Sequence, residues 1–132
     1  MITQLLYTSA SRHPRGHTSD IDVLREAMTH NAREGVTGYL LRDEDGFCQV
    51  LEGPREIVER LFLRIAQDLR HFDVVLRMRR TVAERGFLGW SMGYASLSPE
   101  DSAFLATQFA EGEGGVLLAF NRIGQVASAG RG

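Results

Sequence analysis

VTGYLLRDEDGFCQVLEGP, residues 36–54, is the stretch that decides the fold. Two apolar runs, VTGYLLRD (36–43) and GFCQVLEG (46–53), flank an Asp45-Gly46 step. That dipeptide suits a tight turn with positive φ, so the stretch predicts a β-hairpin. In the second run, alternation sets Phe47, Gln49 and Leu51 on one face and Cys48, Val50 and Glu52 on the other. Pro54 suits the first turn of a following helix. The apolar stripe of that helix is Val58, Leu61, Phe62, Ile65 and Leu69, with Arg55, Glu56, Glu59, Arg60 and Gln67 on its surface.

Outward from the hairpin, ITQLLYTSA (2–10) alternates loosely and reads as a first strand. Ser11–Thr18, with Pro14 and Gly16, reads as a loop. Ser19 with Asp22 marks a helix start, Ile21, Leu24, Ala27 and Met28 follow at helical spacing, and Gly35 closes the helix. FDVVLRMRRTV (72–82) reads as a fourth strand and FLGWSMGY (87–94) as a fifth, with a turn at Glu84–Gly86. Ser98 caps a last helix near 99–110. AEGEGG (110–115) and the final ASAGRG read as flexible punctuation, and GVLLAF (115–120) as an apolar piece of unassigned type. The order β-α-β-β-α-β-β defines an α+β, ferredoxin-like sheet with two helices on one face and a C-terminal helical extension. Residues 1–95 form the expected domain and 96–132 the extension and tail. The second sheet face is then left to solvent, to the C-terminal segment or to an oligomer.

Composition narrows the function. A chain of 132 residues accommodates one domain with a real core. The net charge of −2 gives no electrostatic reason to expect nucleic acid or an anionic membrane. No apolar run approaches the ~18 residues that span a bilayer, and MITQLLYTSA lacks the basic start of a secretory signal. With Cys48 as the single cysteine, no intrachain disulfide forms and a reducing cytoplasm fits best. The four histidines show no metal-ligand spacing.

Several polar or aromatic residues sit where a core takes Leu or Val. Asn31 falls on the buried stripe of the first helix, where an unpartnered carboxamide costs about 1–3 kcal/mol. It either caps the helix end near Gly35 or bonds a ligand. Gln49 sits between Phe47 and Leu51, either at a solvent-facing edge or paired to a partner, and its amide both donates and accepts. Tyr7 is a strand phenol that any core could satisfy. By alternation Trp90 and Met92 share a strand face with Leu88 and Tyr94, which alone means core packing. Arg64, Asp68, Arg70 and His71 cluster on or after the second helix, as charges on any exposed helix do.

Taken together, LLYTSA, HNAREGVTG, FCQVLEG, DLRH (68–71) and FLGWSMGY resemble the BLUF family of flavin-binding blue-light sensors. The resemblance runs from about Leu5 to Tyr94. It implies noncovalent FAD, with FMN or riboflavin possible, held between the two helices. It implies that Tyr7, Gln49 and the flavin form one hydrogen-bonded chain in which Gln49 is the switching glutamine. Asn31, Arg64 and Asp68 would bond the flavin, with His30, Arg70 and His71 nearby. Apart from the resemblance, Arg33 is a candidate to approach a cofactor phosphate. Trp90 and Met92 would pass the change into the sheet. A sensor of this kind is not an enzyme, and its output would be a homo-oligomer or a downstream protein partner. A small hydrolase and a cofactor-free regulatory module are the alternatives on the same fold, although no paired carboxylates or nucleophile-base set supports the former.

Overall fold

The computed structural model describes residues 1–131, with side-chain surroundings through Ala129. Its elements are β1 (Ile2–Ser11), α1 (Thr18–Glu34), β2 (Thr37–Arg42), β3 (Gly46–Gly53), α2 (Arg55–Ala66), β4 (His71–Val82), β5 (Gly93–Ser96), α3 (Pro99–Ala110) and α4 (Glu113–Arg131). The five strands form one sheet in the order β4-β1-β3-β2-β5. All neighbours are antiparallel except β2 and β5, which run parallel. This is the ferredoxin-like arrangement with one strand added at its edge.

The β2–β3 hairpin forms where Asp45-Gly46 places it, closed by Asp43 N donating to the Gly46 carbonyl at 2.8 Å. A Cβ at Gly46 would meet the Ser9 carbonyl oxygen at 2.1 Å, so the approach of β1 also requires glycine there. At the centre of the sheet, β3 is buried along its whole length. Its two alternating sets meet different layers. Phe47 and Leu51 join Leu5, Tyr7 and Leu40 under Val58 and Leu61 of α2. Cys48 and Val50 join Leu6, Tyr39 and Leu41 against Leu105 of α3 and Val116, Ala119, Ile123 and Ala127 of α4. Of the three occupants open for the second sheet face, the C-terminal segment is the one found.

Several expectations need correction. At the start of α1 the cap is His17, whose Nδ1 accepts from Ser19 N at 3.1 Å. Ile21 and Met28 lie exposed, because α1 turns Val23, Leu24, Ala27 and Asn31 toward the sheet. Leu69 also lies exposed, since α2 stops at Ala66 and the helical period with it. The fifth strand is shorter than the run 87–94. Gly89 takes a φ of 91°, and Trp90 N bonds the Phe87 carbonyl at 3.1 Å, so residues 87–92 turn and only 93–96 extend. Trp90 and Met92 therefore do not share a face: Trp90 packs with the C-terminal helices and Met92 with α1 and α2.

The segment expected to be flexible is helical. The chain breaks at Gly112, φ 74°, and α4 then runs from Glu113 through GVLLAF and most of ASAGRG. Gly132, the last residue of that stretch, lies outside the described residues. Glycine at 115 lets α4 start hard against α3, since a Cβ there would meet the Gln108 carbonyl oxygen at 2.0 Å.

Candidate cofactor site

Between α1, α2 and the sheet lies a cavity of about 350 Å³. That volume lies within the range of small-molecule sites, roughly 300–1,000 Å³. Val23, Ala27, Leu40, Phe47, Leu61 and Ile65 supply its apolar walls. Its polar lining is Tyr7, Glu26, His30, Asn31, Gln49, Arg64, Asp68, Arg70 and His71. Two slightly separated helices over a strand floor thus converge eight of the sequence-derived site residues on one space. Arg33 does not line it.

The floor carries a hydrogen-bonded chain. Tyr7 and Gln49 are register partners on β1 and β3, and the Tyr7 hydroxyl donates to Gln49 Oε1. Gln49 Nε2 donates to Met92 Sδ at 3.3 Å. A thioether only accepts, so the amide nitrogen must face Met92 and the oxygen must face Tyr7. Gln49 is 4% exposed on the central strand, which removes the solvent-edge alternative. Met92 reaches it because β2 has glycine at 38, where a Cβ would lie 2.0 Å from the Val50 carbonyl oxygen and 3.3 Å from Met92 Cε. Burial of the Tyr7 ring pushes its phenol pKa far up, with smaller contributions from Cys48 and Asp68. The hydroxyl therefore keeps its proton in the ground state.

Asn31 spans two elements. Its Nδ2 donates to the Ser91 carbonyl at 3.1 Å, joining α1 to the turn before β5. The helix-end bond to Val36 N comes from the Asn31 backbone carbonyl, so the side chain is not the cap. Its Oδ1 is buried and has no hydrogen-bond partner among the described residues. On the wall of a cavity, such an oxygen is an acceptor waiting for a donor on a ligand.

Charged groups form the rim. Arg64 Nη2 donates to His30 Nε2 at 2.5 Å, tying α2 to α1. Arg70 bonds Asp68 and Glu26 at 2.6 and 2.7 Å. The Arg70 guanidinium, first through its side-chain hydrogen bonds, holds the Asp68 carboxyl below the usual range. His71 Nε2 donates to the Ile65 carbonyl at 2.6 Å, and its Nδ1 meets Ser9 Oγ at 2.7 Å. Its ring stands edge-on to Tyr7 and Phe47. His71 is thus a wall of the site, held from both sides. Trp90 is not among the lining residues, and its ring stands edge-on to Tyr39 at 5.5 Å on the far side of the sheet. Glu26 was missed from sequence; it is an exposed-looking acid whose role appears only once Arg70 is brought across from β4's leading turn.

The residues fit a flat heterocycle with apolar faces and a polar edge. Apolar side chains flank the space, and its polar lining includes an unpaired acceptor on Asn31 and the Gln49 amide.

Known proteins with this architecture carry a common theme. The family profile "BLUF: Sensors of blue-light using FAD" matches residues 2–93. A photoactivated adenylate cyclase subunit beta of Euglena gracilis is 38% identical over 84 residues, 64% of this chain and 10% of that protein. The chain spans about a tenth of the length of such cyclase subunits. The structure of the BlsA photo-activated state superposes with a TM-score of 0.82 at 27% identity, covering 94% of this chain and 95% of that one. BlrB, a BLUF protein in its dark state, gives 0.69 at 32% identity over 72% of each chain. The chain belongs to the BLUF family of blue-light sensors that use FAD.

Proposed function

We propose that the cavity holds the FAD ring and that Tyr7, Gln49 and Met92 convert light absorption into a change of hydrogen bonding. Asn31 would anchor the polar edge, with its free Oδ1 accepting from the ring. The Arg64–His30 and Asp68–Arg70 pairs of the rim would close around the exposed end. The flavin supplies blue-light absorption and, when excited, a demand for one electron and one proton.

Tyr7 is the group placed to meet that demand. Because burial disfavours a phenolate, its proton leaves Oη only together with an electron, and Gln49 Oε1 is the first acceptor on its path. The electron, and the proton by way of the Gln49 amide, would pass to the excited ring and then return to Tyr7, leaving the amide tautomerised or turned over, so that it offers Tyr7 a donor where it offered an acceptor. If the amide turns over, Gln49 oxygen stands against Met92 Sδ, an acceptor against an acceptor. Met92 must then shift, and as an unbranched side chain it does so at low cost. The observation that carries the reading is the hydrogen-bonded chain from Tyr7 through Gln49 to Met92 on the cavity floor.

Output would leave through the turn 87–92 and the C-terminal helices, residues 96–132 forming an extension that reports on the sheet. Leu117 and Leu118 of α4 are 54% and 52% exposed and suit a homo-oligomer contact or a protein partner. The chain covers 29% of a similar bacterial light-regulated adenylyl cyclase, and residues 2–93 would serve the sensing step. No described helix is long and apolar enough to cross a membrane. Cys48 is buried with its thiol pushed up to about 12 by burial, consistent with an inert thiol in a reducing cytoplasm. Purified protein should carry one flavin per chain and show a small reversible red shift under blue light. A preparation that binds no FAD, FMN or riboflavin would overturn the reading in favour of a cofactor-free module.

A further inference from the structure

Glu52 is fully buried, at 0% exposure, on the sheet face opposite the cavity. A buried carboxylate needs all its acceptor positions filled, and here four donors fill them. Gln4 Nε2 and Gly86 N donate to Oε2 at 3.0 and 2.9 Å. Thr37 Oγ1 and Phe87 N donate to Oε1 at 2.8 and 2.7 Å. Gln4, Thr37 and Arg80 belong to one transverse row of the sheet, in register with Glu52 or with its neighbour. Arg80 Nε donates to Gln4 Oε1 at 2.8 Å, and Arg85 Nη1 to Thr37 Oγ1 at 2.9 Å. Each neutral side chain thus relays a guanidinium to the carboxylate. Four strands and the β4–β5 connection meet on this one group.

The connection it holds is the one that completes the cofactor site. Phe87 N rests on Glu52, the Phe87 carbonyl receives Trp90 N at 3.1 Å, and the Trp90 carbonyl receives Gly38 N at 3.1 Å. The next two residues supply the Ser91 carbonyl to Asn31 and Met92 Sδ to Gln49. We propose that Glu52 is a positioning residue: its carboxylate fixes the turn 86–92, and so sets where Ser91 and Met92 stand against the flavin switch. It never touches the cofactor, lying three register rows from Gln49 and on the other face. The proposal deepens the photoreceptor reading and rests on it for its kinetic test, but not for its structural one.

Glu52→Gln tests it. Whichever way the amide turns, two of the four donors then face an NH2 group. In the dark, hydrogen exchange of the Phe87, Trp90 and Gly38 amides should accelerate roughly tenfold, while exchange along the β1–β3 ladder near Leu5 and Leu51 stays put. After illumination the red shift should form with flavin still bound, and its dark recovery should change by about fivefold or more. If wild type fails to photocycle, the photoreceptor reading falls, and the dark exchange result still decides the role of Glu52. If wild type photocycles and Glu52→Gln lowers only the melting temperature, with exchange and recovery unchanged, the carboxylate is merely structural and the proposal is overturned. Should Glu52→Gln not fold, Thr37→Val removes one donor at nearly constant shape. It should move the same two readouts in the same direction, and unchanged values there overturn the proposal equally.

Discussion

The two faces of the sheet are built on opposite terms. Toward α3 and α4, side chains such as Leu6, Leu41, Val50, Ala119 and Ile123 are sealed at 0% exposure, and the one charge among them, Glu52, has every acceptor position used. Toward α1 and α2, Leu5, Leu51 and Val58 are packed as well, but part of the face borders a cavity, and α1 buries only Asp20 and Asn31. Asn31 keeps an oxygen without a partner. Apolar side chains sealed between sheet and helix specify a structure, whereas a buried oxygen left without a donor on a cavity wall specifies a ligand. The unequal faces predict unequal responses to mutation.

The largest response belongs to the switch itself. Tyr7→Phe keeps the ring on Phe62 and His71 but removes the transferable proton. Gln49→Leu keeps volume but removes the amide that joins Tyr7 to Met92. Both variants should bind flavin and lose the light-induced red shift completely, read from light-minus-dark spectra. A normal shift in either shows that the cavity face works by another chain of bonds.

Next come truncations on the two faces. Ile123→Ala in the sealed layer should cost about 2–5 kcal/mol in urea unfolding, with an unchanged flavin spectrum. Leu61→Ala should fall at or below the low end of that range, because Leu61 already borders a cavity and loses fewer contacts. Equal costs would mean that the faces are packed alike. Asn31→Ala should weaken flavin retention by roughly 1–3 kcal/mol in a titration, since it strips the ring of an acceptor and Ser91 of a donor. Unchanged affinity would leave Asn31 as a strut between α1 and the turn at Ser91.

What was legible in the sequence follows the same division. Alternation and turn residues placed β1 to β4 and both covering helices, because those signals are local. Polar intrusions at Tyr7, Asn31 and Gln49 were legible because a core tolerates them only with partners, and their grouping as a family pattern pointed to flavin. The turn 87–92 was not, since alternation through FLGWSMGY is satisfied by a strand until Gly89 adopts positive φ. That single break separates Trp90 from Met92. α4 was hidden by glycines that look like punctuation: Gly112 makes the break before it and Gly115 the close approach to α3, while Gly114 and Gly124 stand in open space within the helix. Glu52 looked like an ordinary polar end of a strand, and only the fold brings Gly86 and Phe87 to it.

The smallest effect is expected at the rim, where the open face meets water. Asp68 accepts from Arg70 and is held below the usual carboxylate range chiefly by that side-chain bond. A depressed folded pKa contributes stability above the unfolded value near 3.9 and loses it as pH falls through the folded value. Asp68 is 31% exposed, so solvent screening keeps the contribution of the pair below about 1 kcal/mol. Asp68→Asn should therefore be slightly less stable than wild type at pH 7, and raising the salt should narrow that gap. Below the folded pKa the wild-type carboxyl is itself neutral, so the two proteins should converge there. Paired urea titrations at pH 7 and at strongly acid pH, at low and high salt, measure this. A gap that survives acid would mean that Asp68 acts through its shape or its bond to the Arg70 backbone, and that the rim is built like the sealed face after all.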